Sequence, residues 1–571
     1  MSRSLLTVAL ASALALAGCE REAPAPAAEP AAAPAQPGAP GAAQAHAFSP
    51  EITVADFAEL TRTLSSDAFE GRAPGSPGGE KTVEYIQAQY ERIGLQPGGE
   101  DGGWFQTVPM VETTADESTA LRIDGPKGSR ELKFGDDMVI GTRSGQARVD
   151  VADSELVFVG YGVDAPEQGW NDYEGLDVKG KTVVILVNDP GFHAEDEALF
   201  DGNRMTYYGR WTYKFEEAAR KGAAAALLIH DTPGASYGWD VVKNSWSGAQ
   251  FDLRAEDDPE PRLPAQGWIT GDVARELFSA AGLDLDDQIA AANRRGFRAV
   301  PLQAKVSFDL ASTIVEKSSR NVIGVLPGTA AADEAVIYMG HWDHLGKHDG
   351  AEGEDTIYNG AVDNATGIAG IIEIAERFAT ADPKPQRSVA FLAVTLEESG
   401  LLGSKYYVAR PTFPMEKIAG VINLDAMSVA GPSRDFVVTG LGNSELEDLL
   451  KVEADRQGRT LVEEGNPAGG FYFRSDHFNF AKAGVPALYA KGGGDLVDGG
   501  TAAGEAATQA YAAVYHQPGD EFDENWNLEG VVQDLEALYG VGRALADDPK
   551  RWPNWYEGNP FKAERDAMMS R

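Results

Sequence analysis

The stretch SVAFLAVTLEESGLLGS, residues 388–404, decides how this chain is interpreted. It begins with a mostly apolar run, which predicts a buried strand. Glu397 and Glu398 then stand side by side before a glycine-bearing turn. Because two adjacent carboxylates repel each other and resist burial, the pair requires either free solvent or a strong compensating cation.

The pattern on both sides of this stretch indicates the fold class. From residue 321 onward, strand-like and helical runs alternate regularly. The runs are AVIYMG, ATGIAGIIEIAERFA, SVAFLAVTL, IAGVINLD, SELEDLLKVEADRQG and VPALYA. Strands separated by helices of this length predict an α/β fold, with a doubly wound mixed sheet flanked by helices.

The domain organisation follows from changes in pattern. Two helical runs occupy the first part of the globular chain, whereas the middle section carries short strand-like runs with a single helix between two of them. We therefore predict one α/β domain, residues 48–130 and 307–546, interrupted by a smaller β-rich insert at 131–306. A C-terminal tail is expected at 547–571.

The N-terminus predicts a targeting segment. Arg3 precedes an apolar run that is too short to span a bilayer, and Leu16-Ala17-Gly18-Cys19 follows. This tetrad resembles the lipobox of bacterial lipoproteins, which implies a signal peptide at 1–18 and a lipid on Cys19. The alternative is a plain secretory signal followed by a coincidental cysteine. Residues 19–47 are rich in alanine and proline and are expected to form a tether, so the protein would be exported and anchored to a membrane of the cell envelope.

Composition excludes several functions. A formal charge of -39 over 571 residues argues against nucleic acid as a partner, since phosphate contacts need clustered Lys and Arg. Cys19 is the only cysteine, so the chain has no internal disulfide and no thiolate for a metal or for nucleophilic attack.

Acids and imidazoles gather where the predicted strands end. In open α/β sheets, reactive groups collect at the carboxyl ends of strands, so these side chains are expected on one rim. They are His341, Asp343 and His344 after the first strand, Asp363 before the next helix, Glu397 and Glu398, Asp425, and downstream Tyr515 and His516.

These residue types predict a metal site. Imidazole and carboxylate without thiolate suit zinc, and manganese or cobalt remain open by geometry. Two histidines and three acids are too many for one tetrahedral zinc with a vacant position. They suit two ions that share one carboxylate.

The motifs resemble those of the M28 family of co-catalytic zinc peptidases. They occur in the family's order and span residues 52–546 apart from the insert: GHWDHLG, GAVDNATG, LEESGLLGS, INLDAMS, SDHFNFAKAGVPAL and YHQPGDEFD. The resemblance implies a zinc-peptidase α/β/α sandwich. The insert, with VFVGYGV, GLDVKGKTVVILV and AARKGAAAALLIHD, is similar to a protease-associated domain.

The resemblance also implies roles for single residues. One Zn²⁺ would be held by His341 and Asp425, the other by Glu398 and His516, with Asp363 bridging both. Glu397 would be the general base, taking a proton from a water that bridges the metals and passing it to the leaving amine. Asp343 would accept a hydrogen bond from the free ring nitrogen of His341.

Several neighbouring residues admit other roles. Asp363 could be a helix N-cap, although Asn364 or Thr366 can serve instead. His344 and His348 are expected to face solvent, and His477 is expected to support the site without being a ligand. Tyr515 is a candidate donor to the oxyanion.

The expected function is removal of N-terminal residues from peptides with a free N-terminus. A carboxypeptidase or dipeptidase of the same fold is the near alternative. A glutaminyl cyclase, which binds a single zinc, is disfavoured by the five ligands and the Glu-Glu pair. A non-catalytic peptide-binding lipoprotein is the alternative from another class, and it would be expected to have lost ligands.

Overall fold

A single long strand, Val300–Leu326, takes part in both large sheets of the protein. The computed structural model describes residues 46–570 apart from residues 195, 197, 259, 349 and 352. In the first part of the strand every second side chain is buried, as expected when one face lies on a core and the other faces solvent. Residues 321–325 are all buried, so the strand passes from a half-exposed sheet into the interior.

The described residues form fourteen α-helices and twenty-one strands. The helices are α1 (Val54–Leu64), α2 (Pro77–Ile93), α3 (Trp211–Arg220), α4 (Thr232–Ala235), α5 (Trp239–Trp246), α6 (Gly271–Ala280), α7 (Leu285–Ala292), α8 (Thr366–Thr380), α9 (Leu402–Ala409), α10 (Leu446–Arg456), α11 (His477–Lys482), α12 (Gly500–Val514), α13 (Glu529–Ala546) and α14 (Lys562–Met569). The strands are β1 (Gln96–Pro97), β2 (Phe105–Ala115), β3 (Ala120–Gly125), β4 (Gly128–Lys133), β5 (Met138–Gly141), β6 (Arg148–Phe158), β7 (Asp164–Ala165), β8 (Trp170–Asn171), β9 (Thr182–Leu186), β10 (Ala225–Ile229), β11 (Ala249–Leu253), β12 (Ala265–Ile269), β13 (Val300–Leu326), β14 (Ala331–His341), β15 (Gly346–Lys347), β16 (Ile357–Tyr358), β17 (Arg387–Val394), β18 (Ile418–Asn423), β19 (Asp435–Val438), β20 (Thr460–Glu463) and β21 (Ala487–Gly492).

The main sheet is mixed and confirms the predicted fold class. Its strand order is β11–β2–β13–β17–β14–β18–β21–β19–β20, with β1 also paired to β13. The four central strands β17, β14, β18 and β21 are parallel, while β13 and β19 join them antiparallel. The predicted runs from residue 321 onward correspond to the end of β13, to β14, α8, β17, β18, α10 and β21.

Both faces of the main sheet are covered. Side chains alternate along β14, so Val336 and Tyr338 pack into one apolar core and Ile337 and Met339 into another. The first core is closed by α1, α2, α8, α10 and α13, and the second by α9 and α11 together with residues near the C-terminus. A strand buried on both faces reads as a continuous apolar run, which is why β14 and β17 were recognisable in the sequence.

A second sheet is built mainly from the middle of the chain. Its order is β4–β3–β13–β6–β9–β10–β12–β5, and β6, β9, β10 and β12 are parallel. The β3–β4 hairpin belongs to this sheet, so the predicted boundary at residue 131 falls inside β4. From Phe48 onward the chain forms one compact unit, and its division into domains stays a prediction.

The middle section contacts the main sheet region through ion pairs and aromatic rings. Lys482 Nζ lies 3.2 Å from Glu216 and 2.6 Å from Glu260. The ring of Tyr207 packs on Phe478, with ring centroids 5.4 Å apart. These contacts attach the middle section beside α11, whose preceding loop borders the candidate site.

The last residues are part of the packed structure rather than a separate tail. Trp555 and Phe561 are buried in the second core of the main sheet. The indole Nε1 of Trp555 donates to Gly484 O at 2.9 Å, and the buried Arg565 donates to Ile418 O at 3.2 Å. The predicted tail at 547–571 is therefore wrong for the described residues 547–570, because their aromatic side chains close an apolar face that would otherwise be exposed.

The N-terminal predictions fall largely outside the described residues. These are the signal peptide at 1–18, the lipid on Cys19, and all but the last two residues of the 19–47 tether. Within the described part of the chain, no helix combines the length and apolar character needed to cross a bilayer.

Glu373 lies inside α8, and its burial should make the free energy of unfolding depend on pH. Burial raises the pKa of its carboxyl from the ordinary value of 4.5 to about 8, although its Oε2 accepts the Thr53 N–H at 3.0 Å. The folded state thus holds a proton that the unfolded chain releases, so stability is lost as pH rises from about 4.5 to about 8. We expect Glu373→Gln, which keeps an acceptor for Thr53, to be more stable than the wild type at pH 8, by about 4 kcal/mol. The two should have equal stability near pH 4.5.

The measurement is urea unfolding of both proteins at pH 4.5 and pH 8. Glu84→Gln, at an exposed position of α2, is the matched control. A stability difference between Glu373→Gln and the wild type that does not change with pH would contradict the buried neutral carboxyl.

Candidate metal centre

Three parallel neighbours of the main sheet deliver most of the predicted site residues. Strands β17, β14 and β18 lie side by side, with His341 opposite Val394 and Met339 opposite Asn423. Their carboxyl ends therefore meet at one edge of the sheet. His341 ends β14, Glu397 and Glu398 follow β17, and Asp425 follows β18.

Asp363 enters this edge from the loop before α8. Two backbone N–H groups of the loop, those of Val362 and Asp363, donate to the Asp520 carboxylate at 2.9 and 3.1 Å. The buried Asn364 donates to Leu424 O at 3.0 Å and accepts the Gly367 N–H at 2.8 Å, so it ties the loop both to β18 and to the start of α8. Because Asn364 and Asp520 satisfy the loop backbone, the Asp363 carboxylate is free to face the other acids.

The Asp363 carboxylate stands between two imidazoles. Its Oδ1 lies 3.2 Å from His341 Nε2, and its Oδ2 lies 3.3 Å from His516 Nε2. Asp425 Oδ1 is 3.5 Å from the first of these nitrogens, and Glu398 Oε2 is 3.1 Å from the second. The five predicted ligands thus form two groups that share one carboxylate.

Left-handed backbone marks the same positions. Leu396 before the glutamates has φ 58°, Ala426 after Asp425 has φ 49°, and His516 itself has φ 56°. Residues other than glycine adopt this region at a cost of about 1–3 kcal/mol, and such positions cluster at functional sites. Here the sharp turns aim side chains at the sheet edge instead of along the strand.

A buried arginine holds the walls of the site together. Arg72 donates to four backbone carbonyls: Trp342 at 2.9 Å, Leu64 at 2.9 Å, Asn359 at 2.5 Å and Gly360 at 2.8 Å. Burial lowers the pKa of this guanidinium to about 10, although nearby carboxylates including Asp520 oppose the shift. Arg72 therefore joins the loop after β14 to the loop before α8.

Asp425 is oriented by residues beneath it. Ser475 Oγ donates to Asp425 Oδ2 at 2.6 Å and itself accepts from Asn423 Nδ2 at 2.7 Å. Lys491 Nζ donates to Ala426 O at 2.7 Å. Hydrogen bonds of this kind leave only one Asp425 oxygen, Oδ1, to face His341.

The two adjacent glutamates have opposite pKa shifts. Burial raises the pKa of Glu397 well above its ordinary value, and the charge of Glu398 raises it further. Burial and Asp363 also act to raise the pKa of Glu398, but the hydrogen bond from His344 and the neighbouring imidazole of His516 outweigh them and lower it to about 2. Glu398 is thus the permanent anion, whereas Glu397 readily accepts a proton.

The donor set fits metal ions. The Nε2 atoms of His341, His344 and His516 are buried and make no hydrogen bond to a described residue. Burial lowers the pKa of His516, yet Asp363 and Glu398 raise it to about 10, which shows how much negative charge surrounds its ring. Two groups of potential ligand atoms are those of His341/Asp363/Asp425 and of His344/Asp363/Glu398. Within each group, the atoms lie within 4.8 Å of one another. Unpaired imidazole nitrogens aimed at several carboxylates are suited to divalent cations such as Zn²⁺.

Asp343 differs from its predicted role. The ring Nδ1 of His341 is 3.1 Å from the backbone carbonyl of Asp343 but 3.9 Å from its carboxylate Oδ1. That oxygen instead accepts the backbone N–H of Glu397 at 3.2 Å. A tight turn brings the carbonyl closer to the ring than the side chain, so the carboxylate positions Glu397 and the carbonyl orients His341.

His344 is not exposed, contrary to the sequence prediction. Its side chain is buried and its Nδ1 lies 2.7 Å from Glu398 Oε1. The prediction was wrong because the sequence does not show which of two histidines four residues apart, His344 or His348, the chain turns inward. His348, by contrast, is exposed as predicted.

Two aromatic neighbours occupy the border of the site. The ring of Tyr515 is 49% exposed and stacks on His516, with centroids 3.9 Å apart. His477 is buried, and burial lowers its pKa to about 3, so it is a neutral ring beneath Asp425. The role of Tyr515 as an oxyanion donor stays a prediction.

Sequence reasoning missed Arg72, Ser475, Asp520 and Lys491. The signal for Ser475 was its place beside His477 in the SDH motif. Arg72 lies in the Gly/Pro-rich run between α1 and α2. Nothing local to Arg72 shows that its guanidinium reaches carbonyls nearly 300 residues away, which only the tertiary fold brings near.

Comparison with known families agrees with this geometry. Residues 321–539 match peptidase family M28. The chain carries a peptidase family M28 domain. The resemblance stated from the motifs is therefore confirmed, and the matched range contains all five predicted ligands and Glu397.

Curated proteins and solved structures resemble parts of this chain. Leupeptin-inactivating enzyme 1 of Streptomyces exfoliatus is 31% identical over 202 residues, covering 34% of this chain and 44% of that protein. The glutamate carboxypeptidase 2 homolog of Caenorhabditis elegans is 27% identical over 385 residues, covering 60% of this chain and 46% of that protein. The chain thus spans less than half the length of these two relatives. Among solved structures, an aminopeptidase from Aneurinibacillus sp. strain AM-1 is 21% identical with a TM-score of 0.47, covering 86% of this chain and 93% of that one.

The buried His344 predicts a measurable effect on metal affinity. We expect His344→Gln to weaken metal binding by the M28 domain by about 10–100-fold, because Glu398 loses the imidazole that holds its Oε1. The measurement is zinc content after dialysis against a buffered series of free zinc concentrations. His348→Gln, at the exposed histidine of the same loop, is the control, and equal zinc affinity in both variants would contradict the placement of His344.

Proposed function

We propose that this protein is a zinc-dependent exopeptidase that removes N-terminal residues from peptides. The observation that carries the proposal is the Asp363 carboxylate, with one oxygen facing His341 and the other facing His516. A single carboxylate placed between two imidazole-carboxylate groups suits a pair of metal ions better than any arrangement of hydrogen bonds.

Five residues would hold two Zn²⁺ ions. His341 and Asp425 would bind one, Glu398 and His516 the other, and Asp363 both. The structure adds His344 as a neighbour of the second group through its contact with Glu398. When bound, such ions polarise a carbonyl and lower the pKa of water, so that hydrolysis proceeds near neutral pH.

Glu397 is proposed as the general base. Its backbone N–H is held by the Asp343 carboxylate, and potential ligand atoms of Glu397, His341 and Glu398 lie within 4.8 Å of one another. Its raised pKa allows it to take a proton from the attacking water and release it to the leaving amine. Glu398 cannot serve in this way, because its pKa is lowered and its carboxylate is already engaged by two imidazoles.

The enzyme is proposed to cleave peptides from the N-terminus. The excess of carboxylates at the sheet edge favours an ammonium group, which supports binding of a free substrate N-terminus. A carboxypeptidase or dipeptidase is the second candidate, favoured by the match to the glutamate carboxypeptidase 2 homolog over 60% of this chain.

The cellular setting is proposed from the N-terminal sequence. A lipid on Cys19 and the alanine- and proline-rich residues that follow would anchor the enzyme to a membrane of the cell envelope and hold it away from the lipid surface.

The middle section is proposed to be an inserted protease-associated domain that borders the site.

Substitution of the base tests the mechanism. Glu397→Gln keeps the shape of the side chain but cannot carry the proton, so we expect kcat to fall by about 10²–10⁴-fold. Metal content, measured by elemental analysis, should stay at two zinc ions per chain. Glu416→Gln, an exposed glutamate on the same half of the chain, is the control. A variant of Glu397 that retains full turnover would remove it from this role.

A substrate panel tests the direction of cleavage. We expect hydrolysis of aminoacyl amides and of peptides with a free N-terminus, and no hydrolysis of the same peptides after N-acetylation. Product analysis by mass spectrometry identifies the released residue. Release of C-terminal residues from N-acetylated peptides would instead establish the carboxypeptidase, and a metal-loaded protein that cleaves none of these peptides would refute both.

A further inference from the structure

Two arginines beside the metal centre have no acidic partner. Arg210, immediately before α3, is only 8% exposed, and its Nε is buried without a hydrogen bond. Arg474, in the loop before α11, also has a buried Nε without a hydrogen bond. Among the described residues, neither guanidinium takes part in an ion pair or donates a side-chain hydrogen bond, and Arg474 has only the ring of Phe471, 5.0 Å from its Cζ.

The two arginines come from distant parts of the chain and lie at one loop. Met205 N–H donates to Pro467 O at 3.1 Å, which fastens the segment before α3 to the 467–474 loop. The side chain of Arg210 lies along this loop, since a Cβ at Gly470 would be 3.4 Å from its Cδ. Burial and the nearby charge of Arg474 together lower the pKa of Arg210 to about 9. Two positive groups therefore lie near each other, and both are largely buried.

The pair also borders the candidate active site. Ser475, the residue after Arg474, donates to Asp425 Oδ2 at 2.6 Å. Tyr515, whose ring stacks on His516, lies near enough to Arg474 to interact with it electrostatically, as does Tyr237. Arg474 thus stands between residues that contact the two ends of the metal-ligand cluster.

An unpaired buried guanidinium requires an explanation. Transfer of a charged group from water without a partner costs several kcal/mol. Other buried arginines of this chain donate to acceptors that offset the loss of hydration. Arg72 donates to four carbonyls, Arg387 to Glu334 and several carbonyls, and Arg459 lies 2.8 Å from Asp534. Arg210 and Arg474 lack such acceptors, although the chain carries a net charge of -39 and acids are abundant.

We propose that Arg210 and Arg474 together bind a carboxylate of the peptide substrate next to the metal centre. The planar guanidinium is the side chain best matched to a carboxylate, with paired N–H donors and charge-assisted hydrogen bonds. Arg474, which is partly exposed, meets the carboxylate first, and Arg210 reinforces the charge from behind. The proposal rests on the exopeptidase function proposed above and adds a substrate class: peptides with an anionic group close to the scissile bond.

Two kinds of peptide offer this carboxylate. A dipeptide presents its C-terminal carboxylate one residue beyond the scissile bond, and a longer peptide presents an acidic side chain there. The probes are therefore Leu-Gly against Leu-Gly-NH₂ for the first, and Leu-Glu-NH₂ against Leu-Gln-NH₂ for the second. For at least one pair we expect the anionic member to have a kcat/KM about tenfold or more above its neutral partner.

Substitutions assign the preference to the arginines. Arg474→Met should reduce the preference to about onefold, because kcat/KM should fall more for the anionic member than for its neutral partner, and Arg474→Lys should restore part of the preference. Arg210→Met should act in the same direction if it folds, which thermal unfolding reports. Arg122→Met, at an exposed site on β3, is the matched control and should keep the wild-type preference. No preference in the wild type for either pair, or a preference that survives Arg474→Met, overturns the proposal.

A binding measurement separates this inference from the exopeptidase function. Calorimetric titration of Leu-Gly and Leu-Gly-NH₂, and of Leu-Glu-NH₂ and Leu-Gln-NH₂, is carried out on the wild type and on Arg474→Met. If the neutral amides bind without being cleaved, the exopeptidase function fails, and the carboxylate site is judged by whether Arg474→Met abolishes the preferential binding of the anionic member. If the neutral amides are cleaved and no pair shows a preference, only the carboxylate site fails.

Discussion

The Asp363 carboxylate between His341 and His516 is the contact on which the site depends. Both of its oxygens are committed, one to each imidazole. A shift of one ångström would separate the two groups, so the surrounding structure holds its loop from three directions. Asn364 ties it to β18, Asp520 satisfies its backbone, and Arg72 joins it to the end of β14.

The parallel strands β17, β14 and β18 place the remaining acids. Because adjacent parallel strands end at one edge, residues far apart in sequence arrive within a few ångströms of each other. The environment then separates Glu397 from Glu398. One is desolvated without a fixed partner, and the other is held by His344 and His516, so neighbours of identical chemistry have opposite proton affinities.

The middle section of the chain contributes to the same region. Its segment before α3 is fastened to the 467–474 loop, and that loop leads directly into Ser475 and α11 beneath Asp425. A peptide bound at the sheet edge would therefore lie near both the middle section and the 467–474 loop. If Arg210 binds a substrate carboxylate as proposed, the middle section takes part in substrate selection through the charge of that side chain.

The sequence by itself determined the α/β class, the strands that end in acids, and the five acids and imidazoles that cluster at the sheet edge. These follow from local signals: apolar runs of strand length, helical periodicity, and polar residues placed where a run stops. Only the tertiary structure decided that His344 turns inward, that a carbonyl and not the Asp343 carboxylate orients His341, that the C-terminal residues close a core, and that Arg72 and the two unpaired arginines lie at the site. Each of these depends on which distant groups share a position in space, and no periodicity within one segment records that.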